Sequence, residues 1–317
     1  MGTARRLAGM AADRLLLGVR RIPQFAIVGL PVPQRRVDVL LDSSDGTVDV
    51  TANNVAVSLE PFRIAIGMPE PAIRTGRSSP VTLTFNDRVS RCELARLSLR
   101  LERSVGSGPR RLAIFRSVAV EDACVGRLRR SLYYGWKRWT ARRQSSPQSA
   151  FSDFAGLLSF YVCPRPVALV SVRDEEGRGN LFPMDLMGHT ATPFFVAALK
   201  NTNRSIELVQ RVRRMVVSRI PLALSDQAYG LAKQHRALHV DWQTIPLPLA
   251  KSPRFGFPVP ASALSVTEIE IHQYEIMGSH TAFLGVPVHE HVMNQGVGMH
   301  HVSGLYQEHC RTRGRAL

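Results

Sequence analysis

The chain has 317 residues, 44% of them apolar and 21% charged, which is enough for two globular domains with cores of their own and excludes a disordered polymer as the default reading. Its formal net charge of +16 comes almost wholly from arginine, since the lysines are only Lys137, Lys200, Lys233 and Lys251. Arginine suits phosphate and carboxylate partners, but no zinc-finger spacing, RNP-type motif or basic stripe interleaved with aromatics accompanies it, so nucleic acid is not the expected partner.

Residues 1–25 set basic side chains around an apolar face of Leu15, Leu16, Leu17 and Val19. Arg14, Arg20 and Arg21 interrupt the apolar runs, which stay well short of the roughly 20 residues of a spanning helix. A basic leader or an amphipathic helix is expected there, and no transmembrane segment. Cys92, Cys124, Cys163 and Cys310 are scattered without CxxC spacing. That pattern points to free thiols in a reducing compartment, the cytoplasm.

Residues 26–122 are strand-rich. Alternating, β-branched runs bounded by Gly, Pro, Asp and Asn recur at VDVLL, VDVTANNVAVSL, RIAIGM, VTLTF and LARLSLRLE, as half-buried strands require. A basic aromatic stretch and a Ser/Gln/Pro linker follow over residues 123–150. Its Leu128, Leu132 and Trp136 are expected to pack on the neighbouring domain as one helical face, the alternative being a helix for an anionic surface or a partner. Residues 151–317 return to strands at VALVSV, FFVAAL, MVVSRI, IEIHQYEI and AFLGVPV. Helices are expected at Arg204–Met215, with Ile206, Val209, Val212 and Met215 on one face, and from Ser225, a plausible N-cap. The whole is expected to be all-β dominated with few helices, its strands closed into antiparallel barrels.

The two strand-rich regions echo each other. SLEPFRIAIGM (Ser58–Met68) resembles TATPFFVAALK (Thr190–Lys200), and Pro61 and Pro193 are separated by the same 132 positions as Asp42 and Asp174, each Asp in a turn between apolar strands. The final strands match at an offset of 169, so the second copy holds about 37 extra residues, mostly between Pro221 and Pro258. A degenerate tandem repeat is the expectation.

Four features of the second copy, in order, carry a family resemblance. They are the strand PRPVALVSV (Pro164–Val172), the segment Asn180-Leu181-x-Pro183, the strand Thr190–Lys200 running into NTNRS, and Gly278-Ser279-His280-Thr281. Together they resemble the flavin reductase-like, FMN-binding split-barrel family over roughly Ala150 to the last residue. The resemblance implies an FMN-binding split β-barrel and an oxidoreductase that passes hydride from NADH or NADPH to FMN, and on to free flavin, a partner oxygenase or another acceptor. It implies a flavin loop from Asn180, Leu181, Pro183 and Asp185, a contact at Thr190, and a phosphate clamp from Lys200, Asn203, Arg204 and Ser205 at a helix N-terminus that favours an anion. It implies that His280 meets the nicotinamide or relays a proton to the reduced flavin. Such proteins are typically homodimers with flavin near the subunit interface, so the first copy is expected as an internal pseudo-dimer partner. That copy continues into GMPEPAIR and GSGPRR, without a clamp or a GSH motif, and is not expected to hold flavin.

Ser279 stands where the family usually has Asp, and Asp185 where its flavin loop usually has Ser. These departures bear on activity more than on fold. They leave open a non-catalytic FMN-binding or redox-sensing module, or a barrel scaffold whose basic surface binds an anionic partner. Each assigned side chain also has a structural reading: Asn180 as a turn residue, Lys200 to Ser205 as a loop and helix cap, and His280 as a satisfied histidine at a strand start. The histidine-rich end, with His289, His291, His300, His301, His309 and Cys310, lacks a defined ligand spacing, and no metal is expected. Without a Rossmann fingerprint, Walker loop or nucleophile elbow, a nicotinamide would be held only transiently, in the flavin cleft.

Overall fold

The computed structural model describes residues 22–31, 36–69, 81–105, 110–142, 151–190 and 193–317. Most of the expected leader, the linker at 143–150, and most of the two stretches expected to lack a clamp or a GSH motif lie outside the described residues.

The first half contributes β1 (Phe25–Leu30), β2 (Val37–Ser43), β3 (Gly46–Asp49), β4 (Asn54–Leu59), β5 (Phe62–Pro69), β6 (Val81–Asp87), β7 (Glu93–Val105) and β8 (Arg110–Asp122). Helices α1 (Arg127–Arg142) and α2 (Phe151–Phe160) lead to β9 (Arg165–Pro166), β10 (Ala168–Arg173), β11 (Gly179–Met184), β12 (Met187–His189) and β13 (Phe195–Lys200). Then come α3 (Ser205–Val212), β14 (Arg214–Arg219), a stretch holding α4 (Ser225–Gly230), β15 (Leu249–Lys251) and β16 (Pro258–Pro260), and finally β17 (Ser265–Ile276), β18 (His280–Val292), β19 (Gly298–Ser303) and α5 (Gly304–Thr312). None of the described helices is long and apolar enough to cross a membrane.

The strands follow from their patterns. In β2, Val37, Val39 and Leu41 are fully buried and alternate with partly exposed residues, so one face is core and the other is wetter. In β10 both faces are covered: Ala168, Val170 and Val172 join one apolar cluster while Leu169 joins another. A strand buried on two sides reads as an unbroken apolar run.

Seven strands of the first half form one sheet in the order β3-β2-β6-β7-β8-β5-β4, and seven of the second half form another in the order β11-β10-β14-β17-β18-β13-β12. Replacing each strand by its counterpart turns one order into the other. The stretch between β14 and β17, which holds α4, β15 and β16, is much longer than the turn between β6 and β7, and this is where the extra residues were expected. In the second sheet the end strands β11 and β12 supply Phe182, Met184 and Met187 to one cluster with Phe195, Met215, Ile269 and Phe283. The sheet therefore curls round its own core. Its end strands do not pair with each other, so the sheet is the split β-barrel that the resemblance implies and not a fully closed one.

The outer face of that sheet is not left to solvent. Leu186, Val196, Ala198, Ala282 and Leu284 belong to the same core cluster as Val55, Phe62, Ile64 and Phe115 of the first half. Polar ties cross the same boundary. The Arg165 guanidinium donates to the Asn54 side chain at 2.7 Å and lies 3.6 Å from the Phe160 ring centroid, and Arg63 donates to the Met277 carbonyl at 3.1 Å. At the chain's beginning, β1 pairs with β19 in a three-stranded sheet.

Four local expectations change. The helix expected to Met215 ends at Val212, because Arg213 turns left-handed (φ 55°) and Arg214–Arg219 pairs as β14. Ser225 lies inside α4 and makes no capping bond at its N-terminus. On α1 Tyr133 and Tyr134 are buried, Tyr134 against Phe154, and Leu132 packs partly buried on the core, while Leu128 is exposed and the Trp136 side chain lies outside the described residues. Helix α2 was not expected at all, its apolar composition having no polar face to mark a period.

Candidate functional site

A cavity of about 230 Å³ opens where the two halves meet. From the second half it is lined by Phe182, Pro183, Met184, Asp185 and Leu186 after and along β11, by Ala198, Leu199 and Lys200 of β13, and by Asn203, His235 and His280. Phe25, Leu59, Leu157 and Tyr161 complete it from the first half and from α2 and the turn after it. Its volume is below the roughly 300–1,000 Å³ of a typical small-molecule site, so a mononucleotide would lie partly outside it.

Lys200 and His280 are register partners across β13 and β18. The Lys200 ammonium is exposed, and none of the described residues makes a hydrogen bond or ion pair with it. His280 is buried. Burial, and then the charge of Lys200, pull its imidazole down to about 4 against the smaller opposite pull of Asp185 and Glu60, so the ring is neutral at pH 7. The ring's Nδ1 lies 2.8 Å from Ser279 Oγ.

Asp185 is held at the cavity wall. Its Oδ2 accepts from the Tyr161 hydroxyl at 2.7 Å and from His301 Nδ1–H at 2.6 Å. His301 Nε2 is in turn hydrogen-bonded to the Tyr229 hydroxyl, and Phe25 stacks on the His301 ring at 6.0 Å between centroids. Burial pushes the Asp185 carboxyl up, but the hydrogen bond and charge of His301 and the bond from Tyr161 outweigh it and leave the group below the ordinary carboxylate value. The carboxylate is thus satisfied by the protein itself.

The expected site residues divide in two. Pro183, Asp185, Lys200, Asn203 and His280 line the cavity together, whereas Asn180, Leu181, Thr190, Arg204 and Ser205 do not. Asn180 is fully buried, donating to Ser205 Oγ and to the Gln234 and Ala237 carbonyls at 2.9 Å each and accepting from Leu181 N at 2.8 Å. It pins the inserted stretch to β11. Leu181 is core, and the Thr190 hydroxyl closes its own turn on the Phe194 carbonyl at 3.0 Å.

At the N-terminus of α3 the Asn203 side chain accepts from Ser205 N at 2.9 Å and bonds His235 Nδ1 at 2.8 Å. Arg204 is exposed beside it. The stretch therefore offers an anion the side chains of Lys200 and Arg204 rather than the Ser205 hydroxyl.

Sequence reasoning missed Phe25, Tyr161, Tyr229 and His235. Tyr161 lies just before the strand Pro164–Val172, where no spacing marks it; the others come from segments far from β11 in the chain. Of the histidine-rich end, His289 and His291 stack at 6.3 Å on an exposed stretch of β18, and no group of three His, Cys, Asp or Glu among the described residues is placed to hold a metal. Cys92, Cys124, Cys163 and Cys310 are unpaired.

The protein is thus a seven-stranded split β-barrel that holds a partly polar cavity against a second sheet. No protein-family model matches the chain, and no curated protein does. Solved structures similar to it include the FMN-binding protein of Thermus thermophilus with bound p-hydroxybenzaldehyde, at 25% identity and TM-score 0.36, over 41% of this chain and 72% of that one. The NADH:FAD oxidoreductase SgcE6 of Streptomyces globisporus C-1027 matches at 18% identity and TM-score 0.42, over 47% and 88%. BorF, the flavin reductase component of a bacterial two-component tryptophan halogenase, matches at 18% and 0.41, over 46% and 90%.

Proposed function

We propose that the protein binds FMN at the cavity between its halves and acts as an oxidoreductase that takes hydride from NADH or NADPH. The carrying observation is the convergence of Lys200, His280, Asn203 and Asp185 on an apolar slot walled by Phe182, Met184, Leu186 and Leu199. An isoalloxazine needs that combination of a flat apolar surface and a polar edge. Arg204, outside the slot, suits the phosphate that the small cavity would leave outside. FMN, when bound, would supply the two-electron chemistry. The chain's own residues would bind the ring edge through Lys200 and His280, exclude water with the apolar wall, and keep the Asp185 charge turned onto Tyr161 and His301.

The two sheets are, in this proposal, tandem copies: residues 26–122 the first, 123–150 a helix and linker, and 151–317 the flavin-binding copy. Their common strand order supports this, and the first copy takes the place of a second subunit by supplying Leu59 to the cavity wall. A partner oxygenase or free flavin would receive the electrons. The unpaired cysteines fit a reducing compartment such as the cytoplasm.

A second reading rests on Asp185. A fixed negative charge at the cavity wall disfavours a reduced, anionic flavin, as in a module that binds FMN without turnover. The two separate in one experiment: load the full chain with FMN, then add NADH or NADPH anaerobically and follow the flavin absorbance. Bleaching supports the oxidoreductase; uptake without bleaching by either donor supports the binding module; no uptake sinks both.

A further inference from the structure

Ser279 is the point where the two halves touch beside the cavity. Its N–H donates to the Glu60 carbonyl at 2.8 Å, and its Oγ accepts from Glu60 N at 3.0 Å and from Leu59 N at 3.3 Å. A hydroxyl has two acceptor sites and one hydrogen, so both acceptor sites are taken by backbone of the first half. The neighbouring Ser58 hydroxyl, 3.4 Å away, gives its own hydrogen to the Glu60 carbonyl at 3.3 Å. What remains is the Ser279 hydrogen, and its nearest acceptor is His280 Nδ1 at 2.8 Å. If Nδ1 carried a proton instead, Ser279 Oγ would have to accept a third bond and spend its hydrogen on the longest contact in the cluster.

We propose that Ser279, locked by the Leu59–Glu60 backbone, is a positioning residue that fixes His280 in the Nε2–H tautomer, so that the cavity presents a neutral hydrogen-bond donor to a carbonyl oxygen of a ring ligand. The first half thus sets the chemistry of a side chain in the second. An aspartate at this position would act in the opposite sense: a carboxylate only accepts, so it would demand a proton on Nδ1 and favour the imidazolium. Lys200 on β13, Asp185 after β11 and Glu60 in the first half act on the ring through their charges, and Tyr161 and His235 are the other titratable groups that share the cavity with it. That the carbonyl belongs to a flavin or nicotinamide rests on the function proposed above; the tautomer does not.

The test uses the flavin-free full chain with ¹⁵N-labelled histidine, long-range ¹H–¹⁵N NMR at pH 7, and His280→Gln to assign the signal. The expected result is a bare Nδ1 and a protonated Nε2 in the wild type, preserved in Ser279→Thr, mixed in Ser279→Ala and reversed in Ser279→Asp, whose ring should also titrate at higher pH. A protonated Nδ1 in the wild type overturns the proposal, even if every variant fails to fold. So does an unchanged tautomer in a folded Ser279→Ala protein. In a second arm, Ser279→Ala should weaken FMN binding roughly threefold to tenfold, the worth of one neutral hydrogen bond; unchanged affinity overturns the ligand half of the proposal. If the wild type takes up no FMN, the flavin reading falls and the NMR arm still decides the tautomer.

Discussion

Asp185 shows how a charged residue is accommodated at the wall of an otherwise largely apolar cavity. Its carboxylate satisfies the Tyr161 hydroxyl, which is buried at 2% exposure, so Asp185→Ala should leave that hydroxyl without an acceptor and cost about 1–3 kcal/mol. Urea midpoints at pH 7 would measure it. Because the folded carboxyl lies below its ordinary value, its stabilisation is complete above the unfolded value of about 3.9 and fades as pH falls through the folded one. The gap between wild type and variant should therefore narrow near pH 3. His280 acts in the same direction, but in a window at higher pH. Its folded value of about 4 lies below the ordinary 6.5, so the unfolded chain binds a proton in that window that the native protein does not, and stability falls as pH drops through it. His280→Gln should flatten that slope in an unfolding series from neutral pH down to about 5. Neither residue's environment was legible in the sequence. Asp185 was marked as a departure from a family pattern, but its partners Tyr161 and His301 lie on other elements, and His301 was weighed only as a metal ligand.

Among the elements, the β17–β18 turn is tightly constrained. Gly278 has φ +94°, and a Cβ there would sit 2.4 Å from the Glu60 carbonyl oxygen, a distance that backbone cannot yield without breaking the Ser279 contacts. Gly278→Ala should cost at least roughly 1–2 kcal/mol from the backbone conformation alone and should disturb the His280 NMR signal more than those of His289 or His291 at the far end of the same strand. A melting curve and the histidine spectrum check both statements. The strands were legible because alternation and turn residues agreed, as in β2 and β10. The end of α3 was not. Met215 continues the helical spacing of Ile206, Val209 and Val212, yet it also starts an apolar strand, and pairing of β14 with β10 and β17 decides between them. Strand β1 was missed for a related reason: its sequence FAIVGL has no partner nearby in the chain, and its pairing with β19 is visible only in three dimensions.

For the whole molecule, the sequence showed an echo of aligned turns and prolines, and the two seven-stranded sheets have corresponding strand orders. What it adds beyond the sequence is the shared core. Leu186, Val196, Ala198, Ala282 and Leu284 are buried against the first half, so a fragment of residues 151–317 would expose a contiguous apolar face. Expressed alone, that fragment should aggregate or self-associate and should not take up FMN. A soluble monomer that binds FMN, seen by size-exclusion chromatography and absorbance, would sink the view that the first half stands in for a subunit. The pairing of β1 with β19 carries a consequence for biosynthesis. Phe25 leaves the ribosome long before His301, yet the two rings stack on each other. Contacts so distant in sequence form late. The nascent first half must wait with its docking face uncovered until the strands of the second half have followed it, and during that interval a chaperone has the most to shield.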